Sequence, residues 1–199
     1  MWMGTWFTSD LHFGHANIIR YCSRPFADVD DMNRGLIERW NETVAADDLV
    51  WVLGDVAMGI ITESLPLIRE LNGDKRLLAG NHDRCWSGHG QRSEEWIDRY
   101  LDAGFTEIHQ GENTLTIGDQ QVLACHFPYH GDSQDEARYV SNRPIDHGDW
   151  LLHGHVHATW KQNGRMINVG VDVWDYRPVS ESDLAALIKD HDEITLELA

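Results

Sequence analysis

Carboxylates, imidazoles and one carboxamide recur in five short polar strings of this chain. Asp10 and His12 stand in "SDLH", Asp55 in "LGD", Asn81 and His82 in "GNHD", His126 in "ACH", and His155 and His157 in "HGHVH". Such a mixture of oxygen and imidazole nitrogen suits manganese, iron, zinc or similar divalent ions. Even with His82 set aside, seven candidate ligands exceed what one tetrahedral ion needs, and suggest a two-metal centre if Asp55 bridges. Two such ions share a hydroxide and clamp the attacking and leaving oxygens of a phosphoryl displacement. That scheme requires no nucleophilic serine or cysteine, and the chain has neither a G-x-S-x-G elbow nor a G-x-x-x-x-G-K-[ST] loop.

Each string alone is weak. Gly-Asp is common turn chemistry, "GNHD" reads equally as a polar turn after a strand, and a lone histidine such as His126 is usually a satisfied one. "GHVH" is stronger, because imidazoles at i and i+2 of an extended segment can face one cation. His153 adds a third imidazole at the same spacing, and the strings themselves leave its role open.

The elements that must position these groups are short apolar runs, each ending in a polar string: "GTWFTSDLH", "DLVWVLGD", "KRLLAGNHD", "QVLACHFPYH" and "DWLLHGHVH". Their length, β-branched and aromatic content, and Gly or Asp boundaries favour buried strands. Helical patterns separate the first three. One runs from Val29 to Val44 with Met32, Leu36, Ile37 and Trp40 on a single face; another runs from Thr62, as N-cap, to Leu71; a third runs from Gln91 to Ala103. Gly118-Asp119 marks a hairpin. The tail gives a strand in "RMINVGVDVWDYRPVS", a helix near Glu181 to Lys189 and a last short strand. Strands and helices that alternate and then give way to hairpins predict an α/β sandwich with a mixed sheet or two sheets. Its ligands would gather at the carboxyl ends of the strands, where five ends carry Asp, Asn or His.

With 199 residues, no internal repeat and no low-complexity linker, residues 1–199 are expected to form one domain. The formal charge of −17, from 33 acidic and 16 basic residues, argues against a broad basic face for duplex nucleic acid. A small anionic substrate at a local positive centre remains compatible with it. The three cysteines, Cys22, Cys85 and Cys125, are odd in number and lack C-x-x-C spacing, which argues against a disulfide framework or thiolate metal site. No apolar run spans a membrane, and "MWMGTWFTSD" lacks the features of a leader, so a cytoplasmic location is expected.

Read together and in order, Asp10-Leu11-His12, Gly54-Asp55, Gly80-Asn81-His82-Asp83, His126 and Gly154-His155-Val156-His157 resemble the signature of the calcineurin-like metallophosphoesterases. The strings "DLHFGHANII" and "NVGVDVWDYRPVS" look like a small bacterial and phage branch of that superfamily. The resemblance implies a four-layer α/β/β/α sandwich with two mixed sheets and the metal site at strand C-terminal ends. It implies that Asp10, His12, Asp55 and His157 hold one ion, and Asp55, Asn81, His126 and His155 the second. Manganese is the first expectation for both ions, with iron, zinc, nickel or magnesium as alternatives. The resemblance leaves His153 without a ligand role and gives His82 that of general acid, for which an imidazole within reach of the leaving oxygen is suited. Asp83 is a candidate to orient His82. The string "GDVAMGIITE" lacks the acid-orienting partner of the protein phosphatases, which argues against that activity.

His15 and Arg84 are the candidates for touching substrate, Arg84 because its planar fork suits phosphate. Arg20, Arg24, Arg143 and Arg177 read as structural, and Trp86, Trp160 and Trp174 read as packing in preference to stacking a base. The expected activity is hydrolysis of phosphodiesters or phosphomonoesters in small or nucleotide-type substrates, with single-stranded nucleic acid included. A catalytically silent scaffold of the same fold is the alternative, and it predicts gaps in the ligand set that the sequence does not show. A metallo-β-lactamase-like hydrolase would need an H-x-H-x-D-H string, which is absent.

Overall fold

Strands β1 (Thr5–Thr8), β2 (Leu49–Val52), β3 (Asp74–Leu78) and β4 (Phe105–His109) run parallel in one sheet, in a computed structural model that describes residues 3–197. Strand β10 (Val179–Ser180) closes the β1 edge antiparallel, giving the order β10-β1-β2-β3-β4. The second sheet has the order β5-β6-β7-β9-β8. It comprises β5 (Glu112–Ile117), β6 (Gln120–Cys125), β7 (Leu151–His153), β8 (Gln162–Asn163) and β9 (Met166–Asn168). Strands β6, β7 and β9 are parallel, with antiparallel partners at both edges. This is the expected calcineurin-like α/β sandwich on two mixed sheets.

The apolar runs are continuous because both faces of each strand are covered. Side chains alternate between two buried clusters. Trp51, Leu53, Leu78, Leu152 and Ile167 point into the layer where the sheets meet. Val50, Val52, Leu77, Leu151 and Met166 point the other way. Helix α2 (Val29–Thr43) packs Met32, Leu36 and Trp40 onto that second cluster. Its start is fixed by Asp28, whose carboxylate accepts from Asp31 N at 2.8 Å.

Three expectations differ in detail. The segment from Thr62 is a short helix α3 (Ile61–Ser64) followed by a 3-10 stretch (Leu65–Glu70), and Ile60, not Thr62, precedes it. Pro66 lacks the N–H that a continuous α-helix would use. The Gln91 helix begins in 3-10 form, at the end of the stretch Ser87–Ser93 that is kinked ahead of it at Gly90, where φ is 69°, and continues as α4 (Glu94–Asp102). The C-terminal helix α5 (Glu181–Glu197) runs through the place of the expected last strand. The hairpin is as expected: Ile117 pairs with Gln120 across Gly118 and Asp119. The short α1 (Ala16–Tyr21) follows the first polar loop.

Candidate metal centre

The five polar strings follow β1, β2, β3, β6 and β7, and the chain turns sharply in most of them. Nine described non-glycine residues have positive φ, and five of these are Asp10, His12, Asp55, His155 and His157. Left-handed backbone at such residues costs roughly 1–3 kcal/mol each and clusters at functional sites. The glycines in these strings are spacers of the same design. A Cβ on Gly54 would lie 2.6 Å from Gly80 N and 2.7 Å from His126 Nδ1, and one on Gly154 would collide with Ser9 and Asp10. Only glycine lets the loops close to this separation.

Each central carboxylate ties down a facing loop with one oxygen and turns the other inward. Asp10 Oδ2 accepts from His155 N at 3.0 Å, and Asp55 Oδ1 accepts from His82 N at 2.8 Å. Asp10 Oδ1 then lies 3.7 Å from His12 Nε2 and 3.9 Å from His157 Nδ1. Asp55 Oδ2 lies 3.8 Å from His12 Nε2 and 3.4 Å from His126 Nε2. Asp55 Oδ2 is therefore shared between two groups of donors.

In the second group, ring tautomers follow from the partners. His126 Nδ1 must donate to the Leu53 carbonyl at 2.7 Å, and His155 Nε2 faces Asp132 Oδ2 at 3.1 Å. Their other nitrogens converge on Asn81 Oδ1, at 3.1 Å from His126 Nε2 and 3.0 Å from His155 Nδ1. With both rings neutral, as ligands to a metal must be, lone pairs of two imidazoles and an amide oxygen meet at one point, and a cation there takes the place of the proton that His126 otherwise holds. In the first group Asp10 Oδ1, His12 Nε2 and His157 Nδ1 are buried with no hydrogen-bond partner. Buried polar atoms left in that state are costly. The donor set thus fits two divalent cations.

The electrostatics agree. Burial acts to raise the Asp10 carboxyl, but His157, His12 and His126 outweigh it and hold it well below the usual range. Asp55 is likewise held low against burial by His126, His82 and His12. Burial pushes His12 and His155 down to about 4, so both rings are neutral near pH 7. Burial acts the same way on His126, yet the facing Asp55 carboxylate pushes it up to about 9, so the site draws positive charge even as protons.

His82 stands at the mouth. Its side chain is 35% exposed, against 14% for His157 and 2% or less for Asp10, His12, Asp55, His126 and His155. Its Nε2 lies 4.0 Å from Asp55 Oδ2. Asp83 does not orient it. The Asp83 carboxylate is buried and accepts from the backbone N–H of Asp55, Val56 and Gly80 at 2.8–3.0 Å, stitching two loops together. Burial and the Asp55 charge raise it to about 6. His15 is half-buried beside His12, with ring centroids 5.4 Å apart, and lines the same cleft. Arg84 is exposed, lies outside both donor groups and stacks over Trp96 at 5.3 Å. His153 is fully buried, donates Nδ1–H to the Gly154 carbonyl at 2.7 Å and stays out of the cluster. Trp86, Trp160 and Trp174 pack or cap neighbouring groups, and none lines the cleft.

Two supporting carboxylates escaped the sequence reading. Asp132 sits in the polar run "HGDSQDEAR", held by Arg138 at 2.6 Å and Arg143 at 3.2 Å, where no spacing distinguishes it from a solvated loop acid. Asp172 lies 3.5 Å from His157 Nδ1. Arg24 binds Asp172 through Nε and Nη2 at 2.8 and 2.9 Å and donates to the carbonyls of Asp10 and Leu11. It is structural, as expected, but the structure it holds is the loop carrying Asp10 and His12.

The cleft is about 730 Å³ and is lined by His12, His15, Asp55, His82, His155 and His157, with Tyr21 at its rim. That volume lies within the range of small-molecule sites. Among the described residues, no helix is long and apolar enough to cross a membrane.

Residues 3–178 match the calcineurin-like phosphoesterase superfamily domain. The chain is 38% identical over 187 residues to the Gene 66 protein of Mycobacterium phage D29, covering 88% of this chain and 92% of the phage protein. It is 30% identical over 190 residues to an uncharacterised protein of Methanocaldococcus jannaschii, covering 91% of this chain and 89% of that protein. A crystal structure of a protein of unknown function from Aquifex aeolicus superimposes with a TM-score of 0.68 at 25% identity, over 93% of this chain and 99% of that one. The ordered loops, the two convergent donor groups and the family match lead to one assignment: the chain belongs to the calcineurin-like phosphoesterase superfamily.

Proposed function

We propose that the chain is a two-cation phosphoesterase that hydrolyses phosphodiester or phosphomonoester bonds of small or nucleotide-type substrates, including single-stranded nucleic acid. Asp10, His12, Asp55 and His157 hold one cation, and Asp55, Asn81, His126 and His155 the other. Residues 1–199 work as one catalytic domain, in the cytoplasm, with manganese as the preferred ion. When bound, the ions supply Lewis-acid charge to the phosphoryl oxygens and make water a stronger nucleophile. The chain's own residues orient and exclude. Asp10 and Asp55 fix the loops that bear the histidines, and His82, exposed at the mouth, donates a proton to the leaving oxygen. His15 and Arg84 contact the substrate. The observation that carries this reading is the meeting of His126 Nε2, His155 Nδ1 and Asn81 Oδ1 beside the shared Asp55 oxygen. The completeness of the donor set disfavours a silent scaffold.

Chelation is expected to abolish hydrolysis of bis(p-nitrophenyl) phosphate, and manganese to restore it with two ions bound per chain. Inactivity on mono- and diesters alike with manganese, iron, zinc, nickel and magnesium would defeat the proposal. A second expectation concerns Asp132, which turns His155 through the far ring nitrogen. Removing such a partner typically weakens metal affinity about 10–100-fold. Asp132→Asn should do so in a calorimetric manganese titration of chelator-stripped protein, whereas an unchanged affinity would mean that packing alone orients His155.

A further inference from the structure

A second lobe of about 500 Å³ adjoins the cleft, and Met58 and His82 line both. Arg84, His89, Arg92 and Trp96 contribute to its wall, and no Asp or Glu lines it. That composition is unusual for a chain with twice as many acidic as basic residues. Described ion pairs engage Arg24, Arg34, Arg76, Arg138, Arg143 and Arg177, but neither arginine of this lobe.

The two guanidinium groups are presented differently. Arg84 is braced: its backbone N donates to Tyr100 Oη at 3.0 Å and its guanidinium lies over the Trp96 ring at 5.3 Å. A stacked guanidinium keeps its in-plane N–H groups free for an anion. Arg99 lies over the same ring at 4.4 Å, so two guanidinium groups already occupy Trp96 and compete with any nucleobase for it. Arg92 stands exposed on the 3-10 turn Ser87–Ser93, whose first residue is anchored by its N–H to Gln110 Oε1 at 2.8 Å.

We propose that this lobe binds a second phosphate of the substrate, through Arg84 and Arg92, while the scissile phosphate occupies the cluster on the other side of their shared neighbour His82. The inference rests on the phosphoesterase reading above and names what its substrates carry. Two unpaired arginines without a competing carboxylate match a dianion better than a neutral sugar or base. A 3′-phosphate on a free nucleotide, largely dianionic near pH 7, and the next internucleotide phosphate of a single strand, a monoanion, both offer charged phosphate oxygens to this arginine pair.

The manganese-loaded protein tests this with two matched pairs of substrates. One pair is the p-nitrophenyl ester of thymidine 5′-monophosphate with and without a 3′-phosphate; the other is the thymidine trinucleotide against the dinucleotide. The wild type should favour the member with the extra phosphate in at least one pair, in kcat/KM. Arg92→Ala should lower that ratio about tenfold, the loss of one charge-assisted contact, and Arg92→Lys should restore part of it. Preference in the first pair identifies a free nucleotide as the source, and preference in the second a strand. A binding measurement stands apart from turnover: inorganic pyrophosphate should bind more tightly than phosphate by calorimetry, and Arg92→Ala should narrow that gap. An unchanged ratio in Arg92→Ala, or no preference in the wild type, overturns the subsite. If no ester is cleaved with any ion, the phosphoesterase reading fails, and the pyrophosphate gap alone decides whether the lobe binds anions.

Discussion

Asp55→Ala is expected to lower phosphoester hydrolysis by on the order of 10³-fold or more, since several kcal/mol of charge stabilisation depend on both cations being held. The inward oxygen of Asp55 faces both donor groups, at 3.8 Å from His12 Nε2 and 3.4 Å from His126 Nε2. Its loss also removes the acceptor for His82 N–H, so two loops lose their tie. Asp55→Asn separates these effects. The amide oxygen can still accept from His82 N–H, but the negative charge that pushes His126 up to about 9 is gone. Both variants should bind fewer than two manganese ions per chain by elemental analysis, and Asn should keep the wild-type circular dichroism spectrum. Full activity in either would remove Asp55 from the centre of the proposal.

What the sequence reveals of this site divides along a physical line. Groups that follow a strand end within a few residues are legible, because a buried strand in a parallel sheet fixes where its carboxyl end lies. Asp10, Asp55, Asn81, His126, His155 and His157 all follow that rule, and the structure gathers them. Supporting groups on long loops are not legible. Asp132 reaches His155 from a loop whose course depends on Arg138 and Arg143; Asp172, on the 3-10 turn Val171–Val173 after β9, lies beside His157 at 3.5 Å and is held there by Arg24 from the other end of the chain. Pairings this distant in sequence leave no local periodicity to read. Asp83 shows the opposite error. Adjacency to His82 suggests a partner for that ring, while the three backbone N–H groups that claim it are visible only in three dimensions. A helix boundary failed where one residue changed the backbone, at Pro66.

His82→Ala should discriminate between leaving groups. For a nucleoside or alkyl leaving group, loss of a positioned acid costs typically 10²–10⁴-fold. A p-nitrophenolate departs without a proton, so the same substitution should cost such an ester only about tenfold, through lost contacts to the phosphoryl group. The structure makes His82 well suited to this comparison. Its link to Asp55 runs through its backbone N–H, which alanine retains, and its side chain is the exposed one of the set. The two cations should therefore remain bound in His82→Ala, with affinities close to wild type. A parallel loss on both kinds of ester would point to phosphate binding in place of proton donation. Loss of an ion from the variant would instead return His82 to the ligand set, and the assignment of seven donors to two cations would have to be redrawn.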